Sequence, residues 1–255
     1  MSTHSGEQHK DEIIALHEQW DETLVEILKR KAKELGVHIP DAPHEKLLQE
    51  APEILEQITR KALTPEQGQR QFVIVSAPSG GGKGTIGALL GEQHFIRMPR
   101  VTTREPRPGE VDGVDYIFVD RETFLKMKED GKFLQTATTH GEFRGASREL
   151  FQKYIQEGKR FYIEGSAGAY LEFLAHPDVK ASRYLSVFLL PPSFIVLEER
   201  LRGRADSITE EEMIERLTMA IAHLQKTQHY PYHTYYVNDT AARAASAIIS
   251  DFEKD

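Results

Sequence analysis

The stretch Phe72-Val73-Ile74-Val75-Ser76, followed by Ala77-Pro78-Ser79-Gly80-Gly81-Gly82-Lys83-Gly84-Thr85 and then Ile86 to Leu90, leaves this chain few options. The first run predicts a strand and the last a helix, so the glycines sit where a strand turns into a helix. Small residues there let consecutive backbone N–H groups close around phosphate oxygens. The helix N-terminus adds the positive end of its dipole, and Lys83 reaches the β- and γ-phosphates. This is the pattern of a P-loop, and it predicts ATP or ADP binding through Ser79, Gly80, Gly81, Gly82, Lys83, Gly84 and Thr85. Ala77 stands at the usual first glycine and Gly84 at the usual magnesium-holding Ser/Thr, which leaves Thr85 for Mg2+. A flexible glycine-rich turn is the alternative; the flanking strand and helix and the lysine position weigh against it.

Upstream of the loop the pattern is helical. From Asp11 to Leu35 the residues Ile13, Leu16, Trp20, Leu24, Ile27, Leu28 and Leu35 recur at helical spacing, and Gly36 supplies a stop. Leu47, Leu48, Ile54, Leu55 and Ile58 predict one or two further helices interrupted at Pro52, before the break at Thr64-Pro65-Glu66-Gln67-Gly68. Residues 1–68 therefore read as a helical extension and 69–255 as a separate domain. The stripe around Trp20 is expected to dock on that domain or on a second subunit as a homodimer contact, and the extension to be dispensable for nucleotide binding.

Beyond residue 68, apolar runs at Phe72 to Ser76, Phe161 to Glu164, Tyr184 to Leu190 and Tyr235 to Asn238 predict strands. Helices are expected over 83–91, 121–129, 147–157, 167–175, 193–202, 210–228 and 240–252. Such alternation predicts an α/β fold, a P-loop NTPase-type parallel sheet with helices on both faces.

Composition narrows the function. A net charge of −8 argues against a protein that holds nucleic acid by phosphate neutralisation. Cysteine is absent, which removes disulfides, thiol nucleophiles and cysteine-ligated zinc. The polar N-terminus lacks a signal-peptide core and no window reads as a membrane span, so no membrane association and a cytoplasmic location are expected.

Downstream, Val101-Thr102-Thr103-Arg104-Glu105-Pro106-Arg107-Pro108-Gly109-Glu110-Val111-Asp112-Gly113-Val114-Asp115-Tyr116-Ile117-Phe118-Val119 closely resembles the signature of guanylate kinases. Phe188 to Ser193, the arginine-rich Arg200 to Arg216 stretch and Val237-Asn238-Asp239 are similar to that family too. The resemblance covers about 71–255. It implies a five-stranded sheet, a small acceptor-binding insertion around 100–147 and a lid near 203–210. It also implies ATP-dependent phosphorylation of a nucleoside monophosphate, GMP, with Mg2+. Arg104 and Arg107, three apart around Pro106, can present two guanidinium forks to one phosphate, and Tyr116 adds a hydroxyl. The resemblance gives them the acceptor phosphate. Arg200, Arg204 and Arg216 lie where the family neutralises the transferring phosphoryl group, and the reading of these as charged helix faces paired with glutamates stays open. Asn238 matches a residue near the donor adenine, although an Asn in a polar turn is equally ordinary.

The guanine-reading positions depart from the family. Gln135 stands where a glutamate would accept from guanine N1–H and the exocyclic amine, and offers one acceptor and one donor instead. Arg144 replaces a tyrosine, Ala146 lacks the usual hydroxyl, and Arg100 replaces a serine. Glu164 and Ser166 take the place of two aspartates; Glu164 can still order magnesium or its water, or be a surface residue at a strand end. These exchanges predict weaker discrimination for GMP. Two rivals remain: a guanylate-kinase-like binding module for a phosphorylated ligand, and a kinase for another phosphorylated small molecule.

Overall fold

The computed structural model describes residues 2–62, 69–139, 141–165, 167–203, 208–227 and 234–254. Helices α1 (Ser2–Leu35), α2 (His44–Gln49) and α3 (Ala51–Ala62) precede the first strand. Then come β1 (Phe72–Ser76), α4 (Lys83–Glu92), β2 (Ile96–Arg97), β3 (Arg100–Thr102), β4 (Tyr116–Phe118) and α5 (Arg121–Glu129). The middle continues with β5 (Phe133–Thr139), β6 (Glu142–Ser147), α6 (Arg148–Gln156), β7 (Phe161–Gly165), α7 (Ala167–Ala175) and α8 (Pro177–Lys180). The chain ends with β8 (Tyr184–Leu190), α9 (Phe194–Arg202), α10 (Glu210–Thr227), β9 (Thr234–Val237) and α11 (Ala241–Glu253).

The central sheet runs β2-β7-β1-β8-β9, and every pairing in it is parallel. All five β1 residues are buried, because side chains that alternate between two faces meet helices on both. On one face Phe72, Ile74, Phe161, Ile163, Phe188 and Leu190 join a core with α6, α7, α9 and α10. On the other, Val73, Val75, Tyr162, Leu185, Val187 and Leu189 pack with α4 and α11. The expected α/β architecture is therefore present, with both faces covered. The two-residue β2 was too short and too polar to show as an apolar run.

The insertion folds as a second sheet, β4-β3-β6-β5, in which β3 pairs with β4 in parallel and with β6 antiparallel. Strands β3 and β4 have three residues each, and β5 and β6 are rich in Thr, Gly and charged or amide residues, so no apolar run marks them and the sequence predicts an insertion there but no strands.

The extension differs from expectation in two ways. Helix α1 starts at Ser2 rather than near Asp11. Pro52 lies in the first turn of α3 and does not interrupt a helix; there its missing N–H has no intrahelical partner to lose. Of the two expected seats for the apolar stripe, the structure shows the one within the same chain. Leu16, Trp20, Ile27, Leu28, Leu55 and Ile58 belong to the same buried cluster as Phe194, Leu217 and Tyr235. The Trp20 ring stacks on Phe194 at 5.0 Å, and His17 meets the edge of Phe194 while its Nε2 contacts Glu198 Oε2 at 3.1 Å. The expected break at 64–68 lies outside the described residues, as do positions 204–207 of the expected lid.

Candidate active site

Strand β1 delivers the glycine loop to the N-terminus of α4. Gly80 (φ 80°) and Gly82 (φ 95°) have the positive φ that side chains resist, so the loop curls only because these positions are glycine. Space enforces the same choice. A Cβ at Gly82 would lie 2.2 Å from Asn238 Nδ2, and one at Gly81 would lie 2.7 Å from the Ala77 Cβ. Asn238 Nδ2 donates to Gly81 O at 3.0 Å, pinning the loop from the end of the sheet. Lys83 Nζ donates back to Ala77 O at 2.7 Å and Pro78 O at 3.3 Å, which holds an ammonium over the cradle. Ser79, Gly84 and Thr85 are exposed at its mouth. A cradle shaped by glycines, a helix N-terminus and a lysine fits a nucleotide polyphosphate.

Asn238 connects this loop to α9. Its carbonyl accepts Arg200 Nη2 at 2.8 Å, while Arg200 Nη1 is buried without a partner among the described residues. Arg216 is half-buried on α10, and His223 lies seven residues, about two turns, further along the same helix face. Burial first, then the charges of Lys83 and Lys226, hold His223 below the usual histidine range. Sequence reasoning missed His223; its spacing from Arg216 was the available signal. Arg204 lies outside the described residues.

The acceptor-side residues gather on the insertion sheet. Arg104 Nη2 donates to both Glu110 oxygens at 2.7 and 2.9 Å, and its guanidinium stands over Tyr116 (5.2 Å) and Phe118 (5.7 Å). Glu110 also accepts the Arg107 backbone N–H at 2.8 Å, so one carboxylate ties the Arg104-to-Arg107 turn together. The Arg107 residue is exposed. Gln135 is only 4% exposed, and its Oε1 accepts Arg100 Nη2 at 2.7 Å. Burial, reinforced by the positive charge of Arg144, pushes the Arg100 guanidinium down to about 10. Arg100, Arg144 and Gln135 are thus brought together as the family pattern implied. Neither the Arg100 to Gln135 bond nor the Glu110 tie was read from the sequence.

Glu164, at the end of β7, is engaged by Arg97 Nε at 3.2 Å, and Arg97 also faces Asp115 at 3.6 Å and the Tyr116 ring at 5.5 Å. Arg97 was not singled out in the sequence. No group of three or more His, Asp or Glu side chains that could hold a metal occurs among the described residues. A magnesium ion fits such a site only where substrate phosphates and water supply most of its ligands, leaving Thr85 and Glu164 as protein oxygens. A cavity of about 440 Å³ opens elsewhere, lined by residues of α3, β9 and α11. It contains none of the loop or acceptor residues, so the active-site assignment rests on the loop. No helix among the described residues is long and apolar enough to cross a membrane.

Residues 69–254 match the family model described as guanylate kinase. The guanylate kinase of Trichormus variabilis is 36% identical over 188 residues, covering 72% of this chain and 89% of that protein. That of Thiobacillus denitrificans is 41% identical over 165 residues, covering 63% of this chain and 75% of the relative. The crystal structure of guanylate kinase from Anaplasma phagocytophilum superposes with a TM-score of 0.53 at 24% identity, over 73% of this chain and 86% of that one, a likeness of fold. With the glycine loop and the arginine signature both inside the matched region, this chain belongs to the guanylate kinase family.

Proposed function

We propose that this protein transfers the γ-phosphoryl group of ATP to GMP, yielding ADP and GDP. The observation that carries the reading is the loop itself: two left-handed glycines, an Asn238 brace and Lys83 poised over backbone carbonyls at a helix N-terminus. On nucleotide binding Lys83 exchanges Ala77 O and Pro78 O for phosphate oxygens, and the N–H groups from Ser79 to Thr85 close on the chain of phosphates. Asn238 braces the loop from below and sits on the donor side. Arg104, Arg107 and Tyr116 hold the acceptor phosphate, with Glu110 keeping Arg104 in place until it arrives. Gln135 and Arg144 flank the acceptor base. Arg200, Arg204 and Arg216 neutralise the oxygens of the group in transfer, where positioning and charge supply most of the catalysis. Mg2+, when held through Thr85 and Glu164, adds charge neutralisation at the donor phosphates.

In this reading residues 69–255 form the kinase unit and 1–68 a helical extension packed on it in cis, so the chemistry requires no second subunit. A cytoplasmic location belongs to the same proposal, since ATP and GMP are nucleotides of that compartment. The test is ADP release from ATP and GMP in a coupled assay. Dependence on both substrates, and loss with Lys83→Ala in a folded protein, is the expected result. A folded protein that binds both nucleotides and forms no ADP would favour a binding module.

A further inference from the structure

Three buried donors without a partner among the described residues lie on one face of the insertion sheet: Arg100 Nε, Arg144 Nε and Gln135 Nε2. The register puts them there. Gln135 is opposite Ala146, Arg144 is opposite Thr102 and Ala137, and Arg100 precedes Thr102 by two residues on β3, so all of these side chains share a face. Gln135 has one acceptor atom, and Arg100 already uses one of its two lone pairs. Turning the amide over would set its N–H against a guanidinium N–H, so the network fixes Nε2 as the atom left for a ligand. This face therefore offers hydrogens and few lone pairs, and an unmatched buried donor is costly until a ligand brings an acceptor.

Two carboxylates lie by this face and both are engaged: Glu164, which shares a small cavity with Gln135, by Arg97, and Glu142, two residues before Arg144 on β6, by the Thr103 hydroxyl. Ala146 supplies no hydroxyl. What the face can match is a carbonyl oxygen and a ring nitrogen lone pair. On guanine these are O6 and N7, the pair an arginine reads most often. The N1–H has at most the second lone pair of Gln135 Oε1, and the 2-amino group has no acceptor reserved for it among the described residues.

Resting on the GMP kinase reading above, we propose that the base subsite recognises the acceptor edge of a 6-oxopurine through Arg100, Gln135 and Arg144 and is indifferent to the 2-amino group. IMP is then an acceptor comparable with GMP, while AMP, which carries an amine donor at C6, is rejected.

The test measures kcat/KM of the intact protein for GMP, IMP and AMP by ADP release, and the affinity of each monophosphate by calorimetry without ATP. The expected result is IMP within about fivefold of GMP and AMP lower by about a hundredfold or more. In Gln135→Glu the restored acceptor should make GMP better than IMP by about twentyfold or more. An IMP value more than about fivefold below GMP overturns the inference and points to Glu164 as a reader of the 2-amino group; AMP equal to GMP also overturns it. If no monophosphate turns over, the kinase reading fails alone, and the same ratios of affinity decide the inference. No measurable affinity for GMP or IMP overturns both.

Discussion

Replacing Trp20 by alanine tests whether the N-terminal helices are part of the kinase core. Trp20 is 1% exposed and stacks on Phe194, the first residue of α9, with ring planes 27° apart. Removing a buried indole withdraws about 200 Å² of mostly apolar surface, which at about 25 cal/mol per Å² sets a ceiling near 5 kcal/mol. Partial collapse of the site and residual burial in the unfolded chain lower this figure, so about 4 kcal/mol is expected. In a chain of this size that is about 8–16 °C in Tm. Urea unfolding followed by circular dichroism measures it, with Ile14→Ala as a control: Ile14 is on the same helix but 58% exposed, and about 0.5 kcal/mol or less is expected there. A chain beginning at residue 69 would expose Phe194, Met213, Leu217 and Tyr235, which belong to the same cluster, and should be destabilised more than Trp20→Ala. A Trp20→Ala loss below about 1 kcal/mol would refute the shared core and restore a loosely tethered extension.

Three further outcomes follow from the site. Lys83→Ala removes charge-assisted bonds worth about 1.5–3 kcal/mol, so calorimetry should show ATP affinity falling tenfold or more; unchanged affinity in a folded variant would remove the loop from the donor site. Gly82→Ala forces a side chain to φ 95° and drives a Cβ into Asn238 Nδ2. The strain is about 1–3 kcal/mol, and both melting temperature and ATP affinity should drop; if neither moves, the loop is not held as described. For His223, the unfolded chain takes up its proton near pH 6.5 and the folded chain only at lower pH. Between those values the unfolded state binds more protons, so stability falls as pH drops below about 6.5, and His223→Gln should shallow that slope. Urea midpoints at about pH 7.5 and 5.5 measure it; equal losses in both proteins would show that other groups carry the acid sensitivity.

Period and local chemistry were enough to place most elements. The run at 72–76, the capped helices at 121–129 and 194–202, and the strand at 184–190 depend on neighbours in sequence, and they stand where the pattern puts them. The phosphate loop was legible for the same reason: its glycines, lysine and flanking elements are contiguous, so one stretch of chain carries both the conformation and the charge. What only the tertiary structure decided is which distant residues meet. Arg100 reaches Gln135 across 35 positions, Arg200 reaches Asn238 across 38, and His17 reaches Glu198 across 181. None of these pairings leaves a periodic trace, because each depends on the register of short strands or the seating of a helix. The apolar stripe of α1 states that some surface must cover it, and burial energy is blind to which chain supplies that surface. The structure supplies that surface from this chain itself, with Trp20 stacked on Phe194 of α9 and the stripe packed against α10 and α3.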